Sequence, residues 1–107
     1  MTSELDRQFD RLGDSVVQLI SLLEESGDPF WIPYLQRGLA QVRENRLSGA
    51  TFILGCYGGA ETFSDLVIGH RFEQTDPQVF HNLNARLSDL RTRTFDCANA
   101  ITSRRAW

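Results

Sequence analysis

Lysine is absent from this chain, and several other chemically useful residues are scarce: two His, two Cys, three Pro and one Met among 107 residues. Without lysine, no P-loop lysine can grip a nucleotide phosphate, and Gly58-Gly59 follows an expected helix instead of opening one. Those glycines read as a helix stop. His70 and His81 are the sole histidines, and neither a nucleophile elbow nor a Cys-His signature accompanies them, so hydrolytic triads lack their parts. Cys56 and Cys97 each sit among apolar neighbours, with no close Cys or His at metal-ligand spacing, and are expected to be buried, reduced thiols. Catalytic residues, metal and cofactor are therefore expected to be none. No apolar run approaches the roughly 20 residues needed to span a bilayer. The segment Met1-Thr2-Ser3-Glu4-Leu5-Asp6 lacks the basic and apolar regions of a secretory signal, so a cytoplasmic protein without membrane attachment is expected.

What is present suits one ordinary globular domain spanning residues 1–107, with 41% hydrophobic and 23% charged residues. Charge is unevenly spread. Residues 1–28 hold seven acids against Arg7 and Arg11, or 2 − 7 = −5, whereas the remainder holds nine Arg against seven acids, or +2. An acidic N-terminal segment argues against nucleic acid and for a basic protein partner.

Hydrophobic spacing predicts an all-α bundle of about four helices. Leu5, Phe9, Leu12, Val16, Leu19 and Leu23 alternate at spacings of four and three, giving one helical stripe from about Ser3 to Ser26. Ser3 and Asp6 form a capping-box pattern there, and Gly27 is a stop. Asp28-Pro29 reads as an N-cap and first-turn proline, with Phe30 and Trp31 in a turn and a second helix from about Pro33 to Glu44. Gly38 lets a neighbouring helix approach it. A third helix is expected from about Gly49 to Tyr57, capped by Ser48 and ended by Gly58-Gly59. The stretch from Glu61 to Arg71 is a loop or short extended piece. Asp76-Pro77 then opens the last helix, to about Ser103, with Phe80, Leu83, Leu87, Leu90, Thr94, Cys97 and Ile101 along its stripe. The expected core is Leu12, Val16, Leu19, Leu39, Phe52, Ile53, Leu83, Leu87 and Leu90.

Asp6, Asp10 and Asp14 recur every four residues and so share one face of the first helix, where Arg7 and Arg11 stand ready to neutralise them. Left free, the row would form a docking face for an Arg- or Lys-rich partner. Glu61 and Asp65 make a second acidic pair beside Gly-Gly. Too few ligands surround it for a metal, and Asp65 fits a role capping local backbone donors. Trp31, Tyr34, Tyr57 and Phe63 could line a pocket, though aromatics in so small a protein usually belong to its core.

The segment Tyr57-Gly58-Gly59-Ala60-Glu61-Thr62-Phe63-Ser64-Asp65-Leu66-Val67-Ile68 resembles the Gly-Gly-x-Gly-Ser-Phe-Asn-Asp-Leu-Val loop of a family of small bacterial helical domains. The likeness extends from about Pro29 to Arg104, with Glu61 in place of Gly, Thr62 in place of Ser and Ser64 in place of Asn. Such domains look like the immunity proteins that accompany toxins of contact-dependent or type VI secretion systems. The resemblance implies a non-enzymatic protein that binds a cognate toxin and covers its active site. An acidic first helix agrees with a toxin of basic surface, and the candidate partner-binding residues are Asp6, Asp10, Asp14, Glu61 and Asp65. The alternatives are a self-associating structural or adaptor module, forming a homodimer, and a small enzyme.

Overall fold

Reciprocal capping fixes where the first helix begins. In the computed structural model, which describes residues 3–58 and 62–104, the Ser3 hydroxyl accepts the Asp6 N–H at 3.0 Å and the Asp6 carboxylate accepts the Ser3 N–H at 3.4 Å. Two backbone donors that a helix start would leave bare are thereby satisfied. Helix α1 runs over Glu4–Ser26 and ends at Gly27, whose φ of 79° lets its N–H turn back onto the carbonyls of Leu23 and Glu24. Only a residue without a side chain adopts that left-handed conformation at no cost.

Helix α2 covers Ile32–Arg43, with Pro33 in its first turn. Asp28 does not cap it. Trp31 takes the N-cap position without a side-chain bond, while the Asp28 carboxylate instead accepts the N–H of Gly69 at 2.9 Å, tying a distant loop to the end of α1. Helix α3 spans Leu47–Gly55, two residues ahead of its expected limits at each end. Asn45 explains the early start, because its φ of 55° reverses the chain at once, with N–H bonds from Asn45 to Val42 O and from Arg46 to Gln41 O. Asn tolerates this region better than most residues. Ser48 accordingly lies inside the helix and caps nothing, and α3 stops at Gly55 before Gly58 is reached. Gly59 lies outside the described residues.

Between α3 and the last helix the chain makes two 3-10 turns, Phe63–Asp65 and His70–Phe72, and no strand occurs among the described residues. Asn84 holds the extended link between them: its carbonyl accepts Ile68 N–H and its amide donates to Ile68 O, each at 2.9 Å. A side-chain amide thus supplies the pairing that a strand neighbour would give. Helix α4, Pro77–Thr102, begins as expected, with the Asp76 carboxylate accepting Val79 N–H at 3.3 Å.

The helices form a ring in which α1 packs on α2 and α4, and α3 completes the circuit against the same two. Successive helices are antiparallel: Asn45 meets Asp6, Gly38 meets Ile53, and Arg104, Thr94 and Arg86 of the α4 side meet Gln8, Ser15 and Glu25 of α1. This up-down-up-down order is the all-α bundle that the hydrophobic spacing requires. Leu12, Val16, Leu19, Ile53, Leu83, Leu87 and Leu90 are buried as expected, with Leu39 and Phe52 half-buried against them. Leu35, Phe63 and Ile68 join the fully buried set. Gly38 and Gly49 set the close α2–α3 approach; a Cβ on Gly49 would stand 2.6 Å from Val42 N.

Candidate functional site

The acidic row of α1 divides into one structural carboxylate and two exposed ones. Asp6 completes the capping box and also accepts a hydrogen bond from the Asn45 amide at 2.7 Å, which ties the start of α1 to the α2–α3 turn. Asp10 and Asp14 are exposed. Together with Phe9, Gly13, Val42, Arg43 and Asn45 they line a groove of about 380 Å³ along the α1–α2 seam. Among the described residues neither Asp10 nor Asp14 forms an ion pair.

Arg7 and Arg11 do not neutralise these two aspartates. Both reach back to Glu4, at 3.0 Å and 3.9 Å. Long side chains on a helix lean towards its N-terminus, so Arg7 meets the acid three residues before it more readily than the one three residues after. The hydrogen bond and charge of Arg7 hold the Glu4 carboxyl below its usual value.

Asp65 is built elsewhere. It is exposed in the first 3-10 turn, which is seated on the α3–α4 seam by the Phe63 N–H to Cys56 O bond and by Arg91. The Arg91 guanidinium donates to the carbonyls of Phe63 and Leu66, both at 3.1 Å. The fold therefore places Asp65 on a different seam from Asp10 and Asp14. Glu61 lies outside the described residues. No group of three or more His, Cys, Asp or Glu able to hold a metal occurs among the described residues.

The aromatic residues divide as well. Phe63 is fully buried and Tyr57 half-buried, with the Tyr57 hydroxyl donating to Arg91 O at 2.7 Å and burial pushing its phenol well above the usual value. Both belong to the core. Tyr34, by contrast, is 42% exposed and Phe30 69% exposed. Phe30 lies edge-on to Trp31 at 5.5 Å between centroids and 5.8 Å from Tyr34, and Trp31 in turn meets Phe63 at 5.6 Å. A run of rings thus extends from the interior to solvent. Beside it, Trp31, Tyr34, Arg37, Phe52, Gly55, Cys56 and Thr62 line a second groove of about 380 Å³ between α2 and α3.

Phe30 and Arg37 were not singled out by the sequence. The available signal was crowding: two adjacent large rings, followed by Tyr34, offer more aromatic surface than the start of one helix can turn inward. The Cys56 thiol is buried as expected, but Cys97 is half-buried in a shallow hollow with Gln8, Arg11, Asp96 and Ala100. Burial raises both thiol pKa values, so both stay protonated near neutrality and are poor nucleophiles. His70 lies 3.1 Å from Glu73 on the exposed surface, and His81 is exposed too. No helix among the described residues is long and apolar enough to cross a membrane. No family model matches the chain, and neither does any curated protein or solved structure.

Proposed function

We propose that this chain is an immunity protein, an inhibitor that binds a cognate bacterial toxin in the cytoplasm and neutralises it by covering its active site, without catalysis of its own. The observation that supports this reading most directly is the exposed Asp10–Asp14 pair. Arg7 and Arg11 are engaged by Glu4, and Arg43 in the same groove forms no ion pair with either aspartate among the described residues, so both carboxylates remain available at the α1–α2 groove. Unpaired surface carboxylates attract a basic partner over a Debye length of roughly 10 Å and speed its capture, while contributing modestly to final affinity. A toxin acting on nucleic acid or nucleotides would present such a basic cleft, and the net charge of −3 disfavours nucleic acid itself as the ligand.

The test is protection. A candidate toxin, sought among the genes adjacent to the one encoding this chain, would be induced in a sensitive host with and without the chain. Restored growth, together with co-elution of the two purified proteins, is the expected result; undiminished growth arrest and separate elution would overturn the reading. A stable homodimer that binds no toxin would support the adaptor alternative.

A further inference from the structure

We infer that the groove between α2 and α3 is an anchor site for a partner segment that places an apolar or aromatic side chain beside a carboxylate. Its wall is apolar, formed by Trp31, Phe52 and Cys56, and its volume of about 380 Å³ accommodates one or two side chains. Among the described residues no carboxylate lines it. Arg37 is the charged residue in the lining, and among the described residues it makes neither an ion pair nor a hydrogen bond. A guanidinium next to apolar surface meets a carboxylate through two parallel N–H donors, which fixes orientation as well as sign. Charge complementarity therefore selects an anionic group, although the chain as a whole is acidic, at −3.

Phe30 decides between a polypeptide and a small ligand. It stands outside the groove, 69% exposed, and its ring rests on Trp31 and Tyr34. Apolar surface thus continues past the groove mouth, where a peptide segment would cover it and a small molecule would not. Aromatic rings and arginine are the residues that most often carry interface affinity. The inference rests on reading the chain as a protein-binding domain, yet it concerns the opposite flank of α2 from Asp10 and Asp14. A basic partner surface would meet the α1–α2 groove, and a separate acidic-apolar segment would meet this one.

The probe is a short synthetic peptide carrying Leu-Phe flanked by Asp and Glu, compared with a twin in which Lys replaces both acids. Each is titrated into isotope-labelled full-length protein and followed by NMR. The acidic peptide should shift the Trp31 indole N–H and the amides of Tyr34, Arg37 and Phe52, with the Lys twin weaker by about tenfold, a difference of about 1.4 kcal/mol. Arg37→Glu, an exposed change that leaves packing intact, should reverse that preference. Absence of shifts at the groove, or equal binding of both peptides unaffected by Arg37→Glu, would overturn the inference. Toxin protection without peptide binding refutes the groove alone, whereas peptide binding without protection refutes the proposed function alone.

Discussion

Adding one methyl group at Gly49 and one at Gly13 should change stability in opposite directions. Both glycines lie inside helices, where alanine is favoured over glycine by about 1 kcal/mol. At Gly49 the new Cβ would stand 2.6 Å from Val42 N and 2.9 Å from Gln41 C, atoms of the α2 backbone that no rotamer change can move. The two helices must separate, at an overpacking cost of about 1–3 kcal/mol that outweighs the propensity gain. At Gly13 the nearest atoms are Val42 Cγ1 at 3.7 Å and Leu39 Cδ1 at 3.8 Å, ordinary contact distances. Gly13→Ala should therefore stabilise by about 0.5–1 kcal/mol and raise Tm by a few degrees, roughly 4–8 °C per kcal/mol, whereas Gly49→Ala should lower it. Urea unfolding followed by far-UV circular dichroism measures both. Equal signs, or a neutral Gly49→Ala, would refute the close α2–α3 approach. Gly13 also lies in the groove between Asp10 and Asp14, so its alanine variant gives a stabilised background with both carboxylates kept.

Three other perturbations address the links between elements. The Ser15 and Thr94 hydroxyls hydrogen-bond to each other in the α1–α4 interface, so Ser15→Ala should cost about 1–3 kcal/mol by stranding a buried partner, while adding Thr94→Val should recover most of it in the same unfolding assay. Asn84→Ala removes both bonds to Ile68, and hydrogen exchange at Ile68 should accelerate; unchanged protection would show that the clamp is dispensable. Glu4 titrates below its ordinary value of 4.5, mainly through the hydrogen bond from Arg7. It therefore stabilises the fold above that pH and ceases to do so as pH falls through its lowered value. The stability difference between wild type and Glu4→Gln should be present at neutrality and vanish in acid.

Helices α1 and α4 were legible because each combines a long stripe with local stop and start signals: Ser3 and Asp6, Gly27, and Asp76-Pro77 act through neighbours in sequence. Helix α3 starts two residues before the apolar spacing puts it, because its start depends on Asn45 adopting a positive φ. Its apolar run is too short to reveal a phase. Asp28 carried a cap signal that a tertiary bond to Gly69 overrode. In the candidate site, the identity of the acidic row was visible, but its division was not: Asp6 is claimed by Asn45, thirty-nine residues away. The direction in which Arg7 leans follows from helix geometry and could have been anticipated. The exposure of Phe30 and Tyr34 could not, because it depends on how much of each ring the packed α3 and the first 3-10 turn leave uncovered.

The central claim, that Asp10 and Asp14 steer a basic partner, is tested most directly by association kinetics with the proposed toxin partner across a range of salt concentrations. Wild type should be compared with the Asp10→Arg, Asp14→Arg double variant, keeping Asp6 because its loss would remove the carboxylate half of the capping box and the Asn45 bond. Each exposed charge contributes only about 0.2–1 kcal/mol at equilibrium, so the rate is the more sensitive readout. The account predicts association slowed by about tenfold at low salt and a flatter salt dependence in the double variant, with helix content unchanged. Equal rates and equal salt dependence in the two proteins would contradict it.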